Sequence, residues 1–176
     1  MKAKVLGLLG AMAIVLPLHV HAADTLRATA GFLDADGKSI GTADLVQTPN
    51  GVLVTVEVRG LAAGVHAVHV HAVGACDAAG GFESAGGHFA PGGTMHGYMS
   101  WGGPHAGDMP NQAVGADGVL RVSLFNPNVT LGEGTASLFD ADGSAIVIHA
   151  GADDYASQPS GNAGGRAACA VIEKTP

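Results

Sequence analysis

Short runs in which apolar and polar residues alternate constrain this fold more than any other feature of the chain. In "VLVTVEV", every second residue from Val52 to Val58 is valine, and Leu53, Thr55 and Glu57 lie between them. A period of two places the valines on one face of a strand and the other three residues on the opposite face, which is typical of a half-buried strand. After residue 22 the sequence shows no long helical period, so we expect an all-β domain.

Seven other runs show a similar pattern, and with residues 52–58 they predict eight strands. These runs are residues 25–33, 39–48 (the weakest), 65–72, 119–125, 135–139, 144–150 and 166–172. "DADG" at 34–37 and 140–143 and "PNG" at 49–51 contain the Asp-Gly and Asn-Gly pairs that tolerate positive φ in tight hairpin turns. Short strands joined by such turns predict one antiparallel sandwich or barrel.

Two connections are too long and too rich in glycine to fit this pattern. Residues 73–118 contain four Gly-Gly pairs and no convincing strand pattern, and residues 150–165 read "AGADDYASQPSGNAGG". Long loops without secondary structure inside a compact domain are usually functional or disordered. The first loop contains three histidines, which favours function.

The N-terminal residues form the three-part pattern of a secretory signal peptide. Lys2 and Lys4 precede an apolar run, Val5 to Leu18, and small residues suitable for cleavage follow. This run is shorter than the roughly 20 residues that a membrane span needs, so an anchor is the less favoured alternative. We expect a signal peptide at 1–22 and a single domain at 23–176.

The predicted mature chain is acidic. Without Lys2 and Lys4, six lysines and arginines oppose fifteen aspartates and glutamates, so the formal charge is 6 − 15 = −9. Nucleic-acid binding is therefore not expected, because it depends on basic surfaces. A basic face for a membrane surface is also absent from the sequence.

The histidines outside the predicted signal peptide concentrate where a metal site could form. They are His66, His69, His71, His88, His96, His105 and His149. His69 and His71 share one face of a predicted strand, and His149 ends another. The glycine-rich loop contains His88, His96 and His105 together with Asp108. Six histidines and one aspartate exceed the needs of one tetrahedral ion. Two ions with a shared ligand would use them all: a nitrogen-only site suits copper, and a site with one carboxylate suits zinc. The spacing does not identify the shared histidine.

The chain contains two cysteines, Cys76 and Cys169. Export to an oxidising compartment makes a disulfide the first expectation, with two free thiols as the alternative.

Several motifs resemble the copper,zinc superoxide dismutase family, in particular its bacterial periplasmic branch. They are "VHAVHVH", "SAGGHFAP", "MHG", "GPHAGDMPN", "VIHAGADDY" and "PSGNAGGRAAC". The resemblance implies an eight-stranded antiparallel Greek-key barrel or sandwich with two long functional loops. It implies an enzyme that dismutes superoxide to oxygen and hydrogen peroxide, with one copper and one zinc ion per subunit. It also implies a periplasmic location, most naturally in a Gram-negative bacterium, and either a monomer or a homodimer.

The resemblance also implies a role for each site residue. The copper ligands would be His69, His71, His88 and His149, and the zinc ligands His88, His96, His105 and Asp108. His88 would be the shared imidazolate, and Arg166 the catalytic arginine beside the copper channel. Asp153 would link His69 to His96 from outside the ligand shell, and Cys76 and Cys169 would form the family's disulfide. His66 is not a ligand in this pattern, and it either braces the copper strand or is simply packed.

Two other classes of function compete with this interpretation. A dismutase-like domain could store or deliver copper, but loss of a copper ligand or of the arginine would favour that class, and neither is missing. A zinc hydrolase is disfavoured because the sequence contains no HExxH-like motif.

Overall fold

The structure, a computed structural model, describes residues 25–175 and shows an all-β domain of eight antiparallel strands. The strands are β1 Arg27–Asp34, β2 Ser39–Thr48, β3 Gly51–Arg59, β4 Gly64–His71, β5 Asp108–Val114, β6 Val119–Asn126, β7 Ala145–His149 and β8 Arg166–Lys174. A single 3₁₀ turn, Glu83–Ala85, lies in the loop between β4 and β5. The predicted signal peptide lies outside the described residues. Within 25–175, no helix is long and apolar enough to cross a bilayer.

The sheet forms a nearly closed barrel with Greek-key connections. Its strand order is β5-β4-β7-β8-β1-β2-β3-β6, and all neighbouring strands are antiparallel. The strands at the two ends of this order, β5 and β6, are consecutive in the chain and lie against each other, which closes the barrel. The chain passes from β3 to β4 and from β6 to β7 without pairing them, as Greek-key topology requires.

The alternation seen in the sequence determines what the barrel encloses. In β3, the valines from Val52 to Val58 are buried, whereas Leu53, Thr55 and Glu57 are exposed. Phe32, Leu45, Met109, Ile146 and Ile148 contribute to the same core. The predicted strand faces are therefore confirmed for β3.

One predicted strand is wrong and one strand was missed. Residues 135–139 form only an isolated bridge, Thr130 to Ser137, although Leu138 is fully buried. Leu138 is buried without pairing in a strand ladder, so the apolar pattern of this segment wrongly predicted a strand. The missed strand is β5, whose sequence "DMPNQAV" contains proline and no alternation of apolar and polar residues. It lies at one end of the sheet order, where a missing backbone N–H is tolerated.

The loop from β4 to β5 has a small apolar core of its own outside the barrel. Phe82 and Ala85 pack on Ala145, Val147 and Cys169. The predicted disulfide is present and joins Cys76 of this loop to Cys169 of β8, with the Cα atoms 5.7 Å apart. The first half of the loop is thus held against β7 and β8 by packing and by a covalent bond.

Candidate metal centre

Strand β4 presents two histidines to the outside of the barrel. Val68 and Val70 enter the core, so His69 and His71, one residue further along, point to the opposite face. Both rings are nonetheless buried, because the two long loops cover them. His149 ends the neighbouring strand β7, which pairs with β4, and its ring lies beside theirs.

Four histidines converge to form what we call the nitrogen group: His69, His71, His88 and His149. Their candidate ligand atoms lie within 4.8 Å of one another. The Nε2 atoms of His71 and His149 are 3.4 Å apart, and the ring centroids of His69 and His88 are 4.1 Å apart. The first long loop supplies His88, which an isolated bridge to His71 places beside β4.

A second cluster, the mixed group, adds a carboxylate: His88, His96, His105 and Asp108. Asp108 Oδ1 lies 2.9 Å from Nδ1 of His88, 3.1 Å from Nδ1 of His96 and 3.4 Å from Nδ1 of His105. The other carboxylate oxygen, Oδ2, accepts hydrogen bonds from the backbone N–H groups of Gly97 and His105. Asp108 is therefore oriented by the backbone, with Oδ1 directed at three imidazoles.

His88 belongs to both groups. Its Nδ1 faces Asp108, and its Nε2 is buried without a hydrogen-bond partner among the described residues. His69 Nδ1, also in the nitrogen group, is buried and unpartnered in the same sense. An unpaired buried nitrogen normally costs free energy, and a metal ion is one partner that would remove this cost. The two unpaired nitrogens, His88 Nε2 and His69 Nδ1, are therefore the evidence that these residues fit a metal ion.

Hydrogen bonds from outside the nitrogen group orient its other rings. His71 Nδ1 lies 2.9 Å from the carbonyl oxygen of Gly86, and His149 Nδ1 lies 3.3 Å from that of Gly164. Each Nδ1 can donate its proton there, which leaves Nε2 as the unprotonated nitrogen that can bind a cation.

Burial keeps these histidines neutral. Desolvation lowers the pKa of His71 to about 2 and that of His149 to about 3. For Asp108, burial alone would raise the pKa, but hydrogen bonds from His88 and the Gly97 N–H outweigh it and hold the pKa below its usual range. The site thus combines neutral imidazoles with an ionised carboxylate, which is the protonation state that metal binding requires.

Asp153 connects the two groups from outside. Its Oδ2 lies 2.9 Å from His69 Nε2, and its Oδ1 lies 3.0 Å from His96 Nε2. The side chain of Asn111 holds the Asp153 backbone through two hydrogen bonds of 2.8 Å. Gly161 lies directly beside this bridge with φ of 67°, and a Cβ there would overlap Asp153 and His96.

The two long loops also bind each other directly. Gln158 Oε1 accepts a hydrogen bond from the backbone N–H of His96, and Gln158 Nε2 donates one to the His96 carbonyl. The Tyr155 carbonyl accepts a hydrogen bond from the Met99 N–H. Part of the loop arrangement is therefore encoded without a metal ion.

Arg166 lines a pocket that leads to the nitrogen group. The pocket has a volume of about 220 Å³, and its lining includes His71, His88 and His149. Arg166 donates hydrogen bonds to the carbonyl oxygens of Phe82 at 2.6 Å and Gly86 at 2.7 Å. Its guanidinium is mostly buried but reaches the pocket, where it can attract a small anion.

His66 lies close to the nitrogen group but outside it. Its Nδ1 is 2.7 Å from the carbonyl oxygen of His149, and its Nε2 is 2.9 Å from that of Ala62. The ring thus connects the end of β7 to the turn before β4. This position is consistent with a bracing role, one of the two alternatives that the sequence left open.

The structure brings the six histidines and Asp108 of the two groups together with Asp153, places Arg166 on the adjoining pocket and leaves His66 outside both groups. Four residues around the site were not predicted from the sequence: Asn111, Gln158, Gly161 and Glu83. Asn111 is a polar residue of β5 and Gln158 a polar residue of the second long loop, both without a distinctive spacing, and Gly161 is one glycine in a loop that contains several. Only tertiary contacts separate these residues from their neighbours.

Comparisons with known proteins agree with this geometry. Residues 39–172 match the family model described as copper/zinc superoxide dismutase (SODC). Superoxide dismutase [Cu-Zn] 2 of Aquifex aeolicus is 47% identical over 149 residues, which cover 84% of this chain and 86% of that protein. Superoxide dismutase [Cu-Zn] of Caulobacter vibrioides is 42% identical over 149 residues, with coverages of 83% and 85%.

Solved structures show the same fold. The crystal structure of a SOD-like protein from Bacillus subtilis has a TM-score of 0.77 and 35% identity, and the match covers 81% of this chain and 95% of that one. Cu/Zn superoxide dismutase from Brucella abortus has a TM-score of 0.68 and 29% identity, with coverages of 84% and 99%.

Proposed function

Since this chain belongs to the copper/zinc superoxide dismutase family, we propose that it dismutes superoxide to molecular oxygen and hydrogen peroxide at the paired histidine groups. The observation that carries this proposal is the placement of His88, whose two ring nitrogens face two different groups of potential ligands. A storage protein would need only one such group.

Donor chemistry assigns a metal to each group. The nitrogen group, with four imidazoles, suits copper, and the mixed group, with three imidazoles and Asp108, suits tetrahedral zinc. We propose His69, His71, His88 and His149 as the copper ligands, and His88, His96, His105 and Asp108 as the zinc ligands. When bound, copper supplies reversible one-electron chemistry and zinc supplies a fixed positive charge.

The side chains have distinct tasks in this proposal. His88 Nε2 is the atom that takes up and passes on a proton, while Nδ1, directed at Asp108, keeps the ring in position. Arg166 attracts superoxide and orients it in the pocket, because its two carbonyl contacts hold a cation beside His88 and His149. Asp153 fixes the orientation of the His69 and His96 rings.

The proposal is tested by metal content and activity measured together. We expect one copper and one zinc ion per chain after reconstitution, and dismutation activity that depends on the copper. A variant with His105→Ala and Asp108→Ala should lose zinc while keeping the nitrogen group. Binding of one ion in total, with zinc-side residues replaceable at no cost, would contradict the paired site. Full metal loading without superoxide turnover would instead favour copper storage.

We further propose that the protein is exported and acts in the periplasm. The disulfide between Cys76 and Cys169 fits an oxidising compartment. The bacterial relatives and the signal-like residues 1–22 support the same conclusion. We expect residues 23–176 to form the mature domain, as a monomer or a homodimer. N-terminal sequencing of the secreted protein identifies the cleavage site, and sedimentation analysis measures the oligomeric state.

A further inference from the structure

An acidic residue lies beside the proposed substrate-attracting arginine. Glu83 Oε2 is 3.3 Å from Arg166 Nη2, and both residues line the pocket that leads to the nitrogen group. The Glu83 side chain is 77% exposed, whereas that of Arg166 is 13% exposed. The carboxylate therefore lies on the solvent side of the guanidinium, where an anion would approach.

Glu83 is not needed to hold Arg166 in place. The hydrogen bonds found for the guanidinium among residues 25–175 go to the carbonyl oxygens of Phe82 and Gly86. Those carbonyls belong to the loop segment that the Phe82 cluster and the disulfide hold against the barrel. An ion pair whose carboxylate is exposed to solvent contributes little to stability. The effect of Glu83 must then be mainly on the electrostatic potential of the pocket.

The charges around the pocket nearly cancel. Apart from histidines, Arg166 and Glu83 are the only ionisable side chains among the described residues that line it. The wall from the second loop contributes Pro159, Ser160, Gly164 and Gly165, which carry no charge. Excluding histidines, the side chains that line the pocket thus contribute about zero net charge, and removal of Glu83 would leave +1.

We propose that Glu83 is a specificity-determining residue that weakens the binding of anions in this pocket, and of dianions more than monoanions. The Coulomb energy between a fixed charge and an anion is proportional to the anion's charge, so one carboxylate disfavours a dianion twice as strongly in free energy as a monoanion. The pocket would thereby admit superoxide while excluding divalent oxyanions that Arg166 alone would bind. The anion chemistry of this inference rests on the proposed function.

The test compares the parent protein with Glu83→Gln, both loaded with copper and zinc. Azide serves as the monoanion and is titrated through the visible absorption of copper; sulfate serves as the dianion and is measured by competition with azide. At low, constant ionic strength we expect the azide Kd to fall about threefold and the sulfate Kd about tenfold. The value of kcat/KM for superoxide should rise about threefold, and these differences should shrink only when salt approaches about 1 M, where the Debye length is ~3 Å.

Two further variants make the result specific. Glu57→Gln removes the same charge and also breaks arginine ion pairs, with Arg59 and Arg121, but Glu57 lies on the outer face of β3. It should retain the parental azide and sulfate affinities. Glu83→Lys should raise the affinities for azide and sulfate further than Glu83→Gln does.

Parental affinities in Glu83→Gln would overturn the proposal. Weaker anion binding in that variant would also overturn it, and would make Glu83 a residue that positions Arg166. If the parent bound anions without dismuting superoxide, the proposed function would fail but the role of Glu83 would still be tested.

Discussion

At the scale of single residues, Asp153 connects the nitrogen group to the mixed group. Its two oxygens accept hydrogen bonds from His69 and His96, and the latter is a proposed zinc ligand. Asp153→Asn replaces one acceptor oxygen by an amide that cannot accept, so one ring loses its partner. We expect zinc affinity to fall about 10–100-fold with a much smaller change in the free energy of unfolding. Competition with a chelator measures the affinity.

The neighbouring acid provides the matched control for that variant. Asp154 is exposed, and its carboxylate accepts hydrogen bonds from the backbone N–H groups of Ala156 and Ser157. Asp154→Asn should keep zinc affinity close to that of the parent. Equal zinc affinity in Asp153→Asn and the parent would show that Asp153 is only a turn residue.

Arg166 is the residue on which substrate attraction depends most in this proposal. No lysine or arginine occurs from Val73 to Gln112 or from Ala150 to Gly165, so the two long loops provide no other cation. Arg166→Glu should lower kcat/KM on the order of tenfold while copper stays bound. Salt should slow the parent only modestly, because charges closer than the Debye length of ~8 Å are poorly screened.

The control for this charge reversal is Arg121→Glu, on the exposed face of β6. Its rate, measured by pulse radiolysis against ionic strength, should stay close to that of the parent. A steep salt dependence in the parent, together with a near-parental rate in Arg166→Glu, would mean that cations on the strands direct the substrate.

At the scale of elements, the first long loop is held from three sides. Its disulfide joins β8, its Phe82 cluster packs on β7 and β8, and Gly86 accepts hydrogen bonds from His71 and Arg166. In the sequence, residues 73–118 show four Gly-Gly pairs and no convincing strand pattern, so nothing there indicates what would hold this loop in place. The small apolar cluster shows that packing organises its first half.

This arrangement predicts that the disulfide affects stability and catalysis together. In a variant with Cys76→Ala and Cys169→Ala, the free energy of unfolding should fall by ~2–5 kcal/mol. Activity should also fall, because the carbonyls that hold Arg166 lie in the released loop. Urea denaturation and rate measurements test both effects. An unchanged urea midpoint would mean that the Phe82 cluster alone secures the loop.

At the scale of the whole molecule, the metal-free domain buries several neutral histidines in one place. Their folded-state pKa is lowered by burial, from 6.5 to about 2 for His71 and to about 3 for His149. The unfolded chain therefore binds more protons than the folded chain once the pH falls below about 6.5. The stability of the metal-free protein should be greatest at neutral pH and decrease as the pH falls toward about 3.

Urea denaturation of the metal-free protein between pH 7 and pH 4.5 measures this dependence. The lowered pKa of Asp108 contributes only at lower pH, because its ordinary value is 3.8. Over most of this range the histidines are thus the main groups with a lowered pKa that take up protons on unfolding. A free energy of unfolding that is constant over the range would contradict buried, neutral rings.

Much of the fold and of the site could be predicted from local sequence. The period of two marks the strands, since burial of one face of a strand requires it, and β3 follows the prediction residue by residue. The spacing of His69 and His71 places both rings on one face, whatever the rest of the fold. The two cysteines allow only one intramolecular disulfide, and it is present. These inferences succeed because they depend on backbone geometry or on counting.

What the tertiary structure alone decided depends on partners that are distant in the chain. Strand β5 was missed because its ladder is set by β4 rather than by its own pattern, and residues 135–139 are buried without joining a ladder. The contact of His69 Nε2 with Asp153, 84 residues away, determines that Nδ1 is the ring nitrogen left free. The ion pair between Glu83 and Arg166 spans a similar separation. Such contacts carry no local signal, because only the tertiary fold brings these side chains together.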